Sequence, residues 1–111
     1  MSGTHTQQPN PLFATTGGEN TVVLSLAADL VRPAACEVRA ALLDLLAARP
    51  KRLLVDLTQV QAVDEAGLGT LLVVALWARK FSVEFALIPS QIARDRLTTA
   101  RLDGYLTLVE H

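Results

Sequence analysis

The spacing of hydrophobic residues changes several times along this chain, and the changes mark out alternating strands and helices. TVVLSLA, from Thr21 to Ala27, has a β-branched start and partial alternation, which predicts a strand. DLVRP then turns the chain. Pro33 is placed for the first turn of a helix that carries Val38, Leu42 and Leu45 along one face until Pro50 stops the pattern. LLVDL, from Leu53 to Leu57, opens with an unbroken apolar run and predicts a central strand buried on both faces. Asp56 falls near its end, where a carboxylate meets solvent or backbone donors.

After the connection TQVQAV, Asp64 is a good N-cap for a second helix, GLGTLLVVALWARKF. Helical spacing puts Leu68, Leu71, Leu72 and Ala75 on an inward stripe and Ala66, Thr70, Val73 and Trp77 on a different face. Gly67 and Gly69 weaken a helix interior, so a close approach of the first turn to a neighbouring strand or a partner is expected. SVEFALI, from Ser82 to Ile88, predicts a third strand ended by Pro89, followed by a helix capped by Ser90 with Ile92, Leu97 and Ala100 on its apolar stripe. Leu102, Asp103 and Gly104 lead into YLTLV, a short final strand or extended edge. This alternation predicts a small α/β domain, with a mixed, mostly parallel sheet and crossover helices. The first strand is free to pair differently from the middle ones.

Residues 1–19 hold Thr, Gln, Pro and Gly without a basic segment feeding an apolar run, and are read as a flexible leader to a single domain over 20–111. At 111 residues and 50% hydrophobic, the chain has enough apolar surface for one core. Ten Lys and Arg against eleven Asp and Glu give a formal charge of -1, which offers no reason to expect nucleic acid as a partner. The longest hydrophobic run, LGTLLVVALWA, is shorter than the roughly 17–25 residues that cross a bilayer and is followed by Arg79 and Lys80, which argues for a cytoplasmic protein. Cys36 is the only cysteine, so no intramolecular disulfide forms, and a structural role is expected for it.

Candidate chemistry is sparse. Asp56, Asp64 and Glu65 could be grouped as a metal site, but no metal-binding loop or nearby histidine accompanies them. Gly67 and Gly69 lack the Lys-Ser/Thr pattern of a phosphate-binding loop. His5 lies in the leader and His111 is the last residue, and no serine sits in a triad-like arrangement, so no catalytic residue, cofactor or metal is expected. What remains is the second helix start. Asp64, Glu65, Ala66 and Gly67 sit where unpaired N–H groups and the positive end of the helix dipole favour negative charge or a protein partner. A partly exposed Val73 and Trp77 would extend this into a compact protein-binding patch; the alternative is that both touch neighbouring core elements.

From Thr21 to Val109 the chain resembles the STAS family, shared by anti-sigma factor antagonists and sulfate-transporter tails. AADLVRPAACEVRAALLDLLA is similar to the first-helix region, LLVDLTQVQAVDEAGLGTLL to the signature segment, and IARDRLTTARLDGYLTLV to the last helix and terminal strand. In that family a strand ending in Asp leads through a hydrophobic turn to an Asp-Ser-Ser-Gly or Asp-Thr-Ala-Gly type sequence, matched here by Asp64-Glu65-Ala66-Gly67 and followed by Leu68-Gly69. The resemblance implies a non-enzymatic regulator whose partner is an anti-sigma factor of the histidine-kinase-like ATPase type, docked on Asp64, Ala66, Gly67, Gly69, Thr70, Val73 and Trp77. It also implies that Glu65 replaces the hydroxyl residue that receives phosphate in kinase-regulated members. Three readings of Glu65 stand: a fixed phosphorylated-like surface, a partner surface freed from this switch, and simple stabilisation of the helix start. Thr70 is the nearest later hydroxyl and a weak substitute phosphosite. The second functional reading is an accessory STAS subunit on the ATPase of a bacterial lipid transporter, and the third is a scaffolding domain in another signalling assembly. A weak homodimer, through a sheet edge or the Val73 and Trp77 face, is a further interaction the pattern allows.

Overall fold

The computed structural model describes residues 12–18 and 20–109. In chain order the elements are β1 (Phe13–Gly17), β2 (Thr21–Leu26), α1 (Ala34–Ala47), β3 (Arg52–Leu57), α2 (Glu65–Phe81), β4 (Glu84–Pro89), α3 (Gln91–Thr99) and β5 (Thr107–Leu108). The strands form one sheet in the order β1-β2-β3-β4-β5, with β1 antiparallel to β2 and every other pair parallel. This is the small mixed, mostly parallel α/β sheet that the hydrophobic pattern predicts. Because each parallel strand is added beside its predecessor in the same direction, right-handed crossovers carry the helices to one face of the sheet.

Register makes the layering visible. Thr15, Leu24, Val55, Leu87 and Leu108 form one row across the sheet. Leu24, Val55 and Leu87 in that row are fully buried, as are Leu53 and Leu57 on β3. Of the intervening residues, Val23, Ser25, Leu54, Asp56 and Ile88 are only half-buried, and the small side chain of Ala86 is the buried one. The expectation that β3 is buried on both faces is therefore corrected. Consecutive strand order puts the crossover helices on one side, so an apolar run in the central strand is roofed there alone.

A second correction concerns the leader. Phe13–Gly17, assigned to it from the sequence, is β1, and it pairs with β2 from Phe13↔Leu26 to Gly17↔Val22. Phe13 packs on the core, and the Gly18 N–H donates to the Thr21 carbonyl at 2.9 Å to close the turn. Four of the five residues are exposed, as suits an edge strand, so the segment lacked the apolar alternation by which strands are recognised. Residues 1–11 of the predicted leader lie outside the described residues.

The helices occupy their predicted places with different faces inward. α1 buries Ala35, Val38, Leu42 and Leu46, leaving Leu45 half-buried and Cys36 exposed rather than structural. α3 buries Ala93 and Leu97 while Ile92 is turned outward. α2 buries Gly67, Leu68, Thr70, Leu71, Val74 and Ala78, whereas Leu72 and Ala75 are half-buried. Helix α2 carries no charge from Ala66 to Ala78, so its composition does not single out a face; contact with α1 and the sheet selects one. Non-glycine residues with positive φ follow all three helices, at Arg49, Ser82 and Arg101, so the glycine signal for a helix end is missing from the sequence.

Candidate functional site at the start of α2

Three connections meet at the carboxyl ends of the parallel strands. The β2–α1 segment comes beside the β3–α2 turn through a parallel bridge between Leu30 and Val63. The Leu30 N–H donates to the Ala62 carbonyl at 3.0 Å, and the Asp64 N–H donates to the Leu30 carbonyl at 3.3 Å. Asp29 accepts the Gln61 N–H at 2.8 Å. On the other side, the Ser90 hydroxyl donates to the Val60 carbonyl at 2.6 Å while accepting the Ala93 N–H that starts α3. Arg96 donates through Nε to the Val63 carbonyl at 2.9 Å. The turn before α2 is thus held from both flanks.

Asp64 is the centre of this arrangement. One carboxylate oxygen caps α2 by accepting the Gly67 N–H at 2.8 Å, and the other accepts the Arg32 N–H at 3.0 Å. The same side chain therefore starts a helix and ties it to the neighbouring connection. These bonds, from Arg32 first and Gly67 second, hold its carboxyl below the ordinary range; partial desolvation opposes them, and the Arg32 charge adds to the lowering. Asp56 does not join this group. It accepts the backbone N–H and hydroxyl of Thr58 at 2.9 and 2.6 Å, stabilising its own turn.

Gly67 answers the question its position raised. A Cβ there would overlap the Leu30 carbonyl oxygen and come within 2.9 Å of Val63 Cγ1, so only glycine lets the first turn of α2 lie against the β2–α1 connection. Gly69 is different. No atom lies within 4 Å of a Cβ built on it, so the close approach expected of both glycines occurs only at Gly67.

The partner residues anticipated from sequence divide accordingly. Glu65, Gly69 and Trp77 are exposed, and Ala66, Asp64 and Val73 are half-buried. Gly67 and Thr70 face inward. Thr70 is 4% exposed and its hydroxyl donates to the Ala35 carbonyl of α1 at 3.2 Å, which removes it as a surface phosphosite or direct partner contact. Leu76, absent from the anticipated set, is the most exposed residue of the helix's apolar surface at 58%. Trp77 packs against Phe81 with ring centroids 5.7 Å apart and planes tilted by 41°, with Lys80 over its ring and Arg49 over Phe81. Arg32, Asp29 and Arg96 also hold this turn without any signal in the sequence. Their bonds go to or from the backbone over more than thirty residues of sequence, and backbone partners leave no residue-pair signature.

Against known proteins, residues 13–110 match the family model described as Mlab, STAS domain. The chain belongs to the STAS domain family. The match begins at the first residue of β1, in agreement with the enlarged domain boundary. No curated protein matches the sequence. Among solved structures, this STAS domain is similar to the anti-sigma factor antagonist SpoIIAA in its unphosphorylated form, at 18% identity and a TM-score of 0.74, covering 89% of each chain. It is similar to an anti-sigma factor antagonist from Mycobacterium paratuberculosis, at 19% identity and a TM-score of 0.74, covering 94% of this chain and 92% of that one. It is also similar to a serine-to-glutamate variant of RsbS from Moorella thermoacetica, at 18% identity and a TM-score of 0.75, covering 89% and 86%. At these identities the likeness establishes the shared fold. Among the described residues, no helix is long and apolar enough to cross a membrane.

Proposed function

We propose that this STAS domain is a protein-binding regulator that docks a partner on the β3–α2 turn and the outer surface of α2. The observation that carries the reading is the contrast within α2: a helix without charge from Ala66 to Ala78 leaves Leu76 and Trp77 exposed about three turns beyond the start capped by Asp64. The docking elements are Asp64 as the fixed frame, Glu65 as the outward charge, and Ala66, Gly69, Val73, Leu76 and Trp77 as the contact surface. In the antagonist reading the partner is an anti-sigma factor of the histidine-kinase-like type, and Glu65 stands in for a phosphorylated hydroxyl. One carboxylate supplies less charge and fewer acceptor oxygens than phosphate, so the imitation is partial.

A second reading is favoured by the matching family model, whose description is Mlab rather than that of an antagonist. There the domain is an accessory subunit docked on a transporter ATPase, and a residue without a hydroxyl at position 65 leaves no regulatory step unfilled. Affinity capture with the wild type, Glu65→Ser and Glu65→Ala, with retained proteins identified by mass spectrometry, separates the readings. Retention of a kinase-like anti-sigma factor mainly by the two variants supports the antagonist with a phosphorylated-like surface. Equal retention of transporter subunits by all three supports the accessory subunit, and loss of the phosphate-like account follows if position 65 changes nothing.

A further inference from the structure

The outer line of α2 reads Glu65, Gly69, Leu72, Val73, Leu76, Lys80, residues that share one side of a helix at 3.6 residues per turn. The line has a carboxylate at one end and Lys80, with Arg79 beside it, at the other. Between them, Gly69 is a notch with open space above it and Leu76 is a knob exposed by 58%. Both pairs are symmetric about the same point. Glu65 and Lys80, and likewise Gly69 and Leu76, lie equally far from the midpoint between Leu72 and Val73.

We infer that this face is self-complementary and that its occupant is a second copy of the chain, with the two α2 helices packed antiparallel about a two-fold axis at that midpoint. The axis sets Gly69 opposite Leu76 of the partner subunit and Glu65 opposite Lys80 of the partner subunit, and each contact occurs twice, as an isologous interface requires. A glycine facing a leucine lets the helix backbones approach closely. The two ends bring opposite charges together, whereas a parallel pair would set Glu65 against Glu65 and Lys80 against Lys80. Along its length of about 22 Å the strip is narrow, and it covers less than the ~800 Å² per subunit of a standard stable interface. The dimer is accordingly weak, and its population is set by concentration.

Such a dimer needs no protein besides this chain. It covers Gly69, Val73 and Leu76, so self-association and docking of another protein on this face exclude each other. Covering the apolar line would also remove it from water between encounters.

Sedimentation equilibrium of the purified full chain, from about 10 μM to 1 mM, tests the inference without any other protein. The wild type is expected to move from the monomer mass towards twice that mass. Leu76→Glu and Gly69→Leu, both at positions open to solvent, are expected to remain monomeric with unchanged circular dichroism. The charge reversals Glu65→Lys and Lys80→Glu should each weaken association about tenfold, while the doubly reversed chain recovers it. A wild type that stays monomeric at 1 mM overturns the inference, as does a dimer that survives both Leu76→Glu and Gly69→Leu. Failure of the double reversal to restore association overturns the antiparallel pairing. If the wild type is monomeric while Leu76→Glu abolishes binding of a different purified protein, the face belongs to that protein and not to a second copy.

Discussion

Gly67 and Gly69 are two residues apart on one helix, yet they belong to opposite regions of the molecule. Gly67 is pressed against the Leu30 carbonyl and Val63, with its N–H accepted by Asp64; Gly69 faces open space. The inner face of α2, from Gly67 through Leu71 and Val74 to Ala78, is fitted atom against atom to α1 and the sheet. The outer face, from Gly69 to Leu76, is as apolar but touches little. Similar residues therefore pack on one side and lie open to solvent on the other, the side to which the proposed function assigns recognition. Apolarity alone does not distinguish a core from an interface; only the neighbours do.

The largest separation of the two faces is expected from their leucines. Leu71→Ala removes a fully buried side chain and should destabilise the fold by about 2–5 kcal/mol, while Leu76→Ala should change it by less than about 0.5 kcal/mol in urea unfolding. Comparable losses for both would show that the outer face is part of the folding core. The glycines sharpen the same contrast. Gly67→Ala forces the first turn away from Leu30 and should cost about 1–3 kcal/mol, whereas Gly69→Ala should stabilise by about 0.5–1 kcal/mol through helix propensity, readable as opposite shifts in Tm.

The smallest effect concerns the Asp64 cap from which both faces start. The folded-state pKa of Asp64 lies below its ordinary value of 3.8, so the stabilisation from its ionised caps is fully present above that value and is lost as pH falls through the folded pKa. Asp64→Asn should flatten this acid limb of a plot of stability against pH while leaving stability near pH 7 only modestly reduced, because an asparagine oxygen still accepts one bond. An unchanged acid limb would move the pH sensitivity to other carboxylates.

Much of the architecture was legible because hydrophobic period and breaker residues act locally. TVVLSLA and LLVDL read as strands, Pro33 and Pro50 bracketed α1, and Asp64 and Ser90 announced their helices as side chains that cap the next turn. β1 was hidden by its exposed, polar edge position. Which face of α2 turns inward was hidden as well, since nearly every position from Ala66 to Ala78 is acceptable in a core. The candidate site was half legible: Asp64 and the unusual glycines stood out, but the roles of Arg32, Leu30 and Arg96 did not.

By itself the sequence determined the number and order of most elements, the capped start of α2 and the lack of a hydroxyl at position 65, because these depend on residue type and spacing within a few turns of chain. The tertiary structure decided that Gly67 is a packing residue and Gly69 is not, that Thr70 is enclosed, and that Leu76 is the outermost large apolar side chain of α2. Those distinctions depend on which distant backbone comes near each position: Leu30, Ala35 and Val63 reach α2 only when the sheet has aligned its crossovers, and local spacing carries no record of that approach.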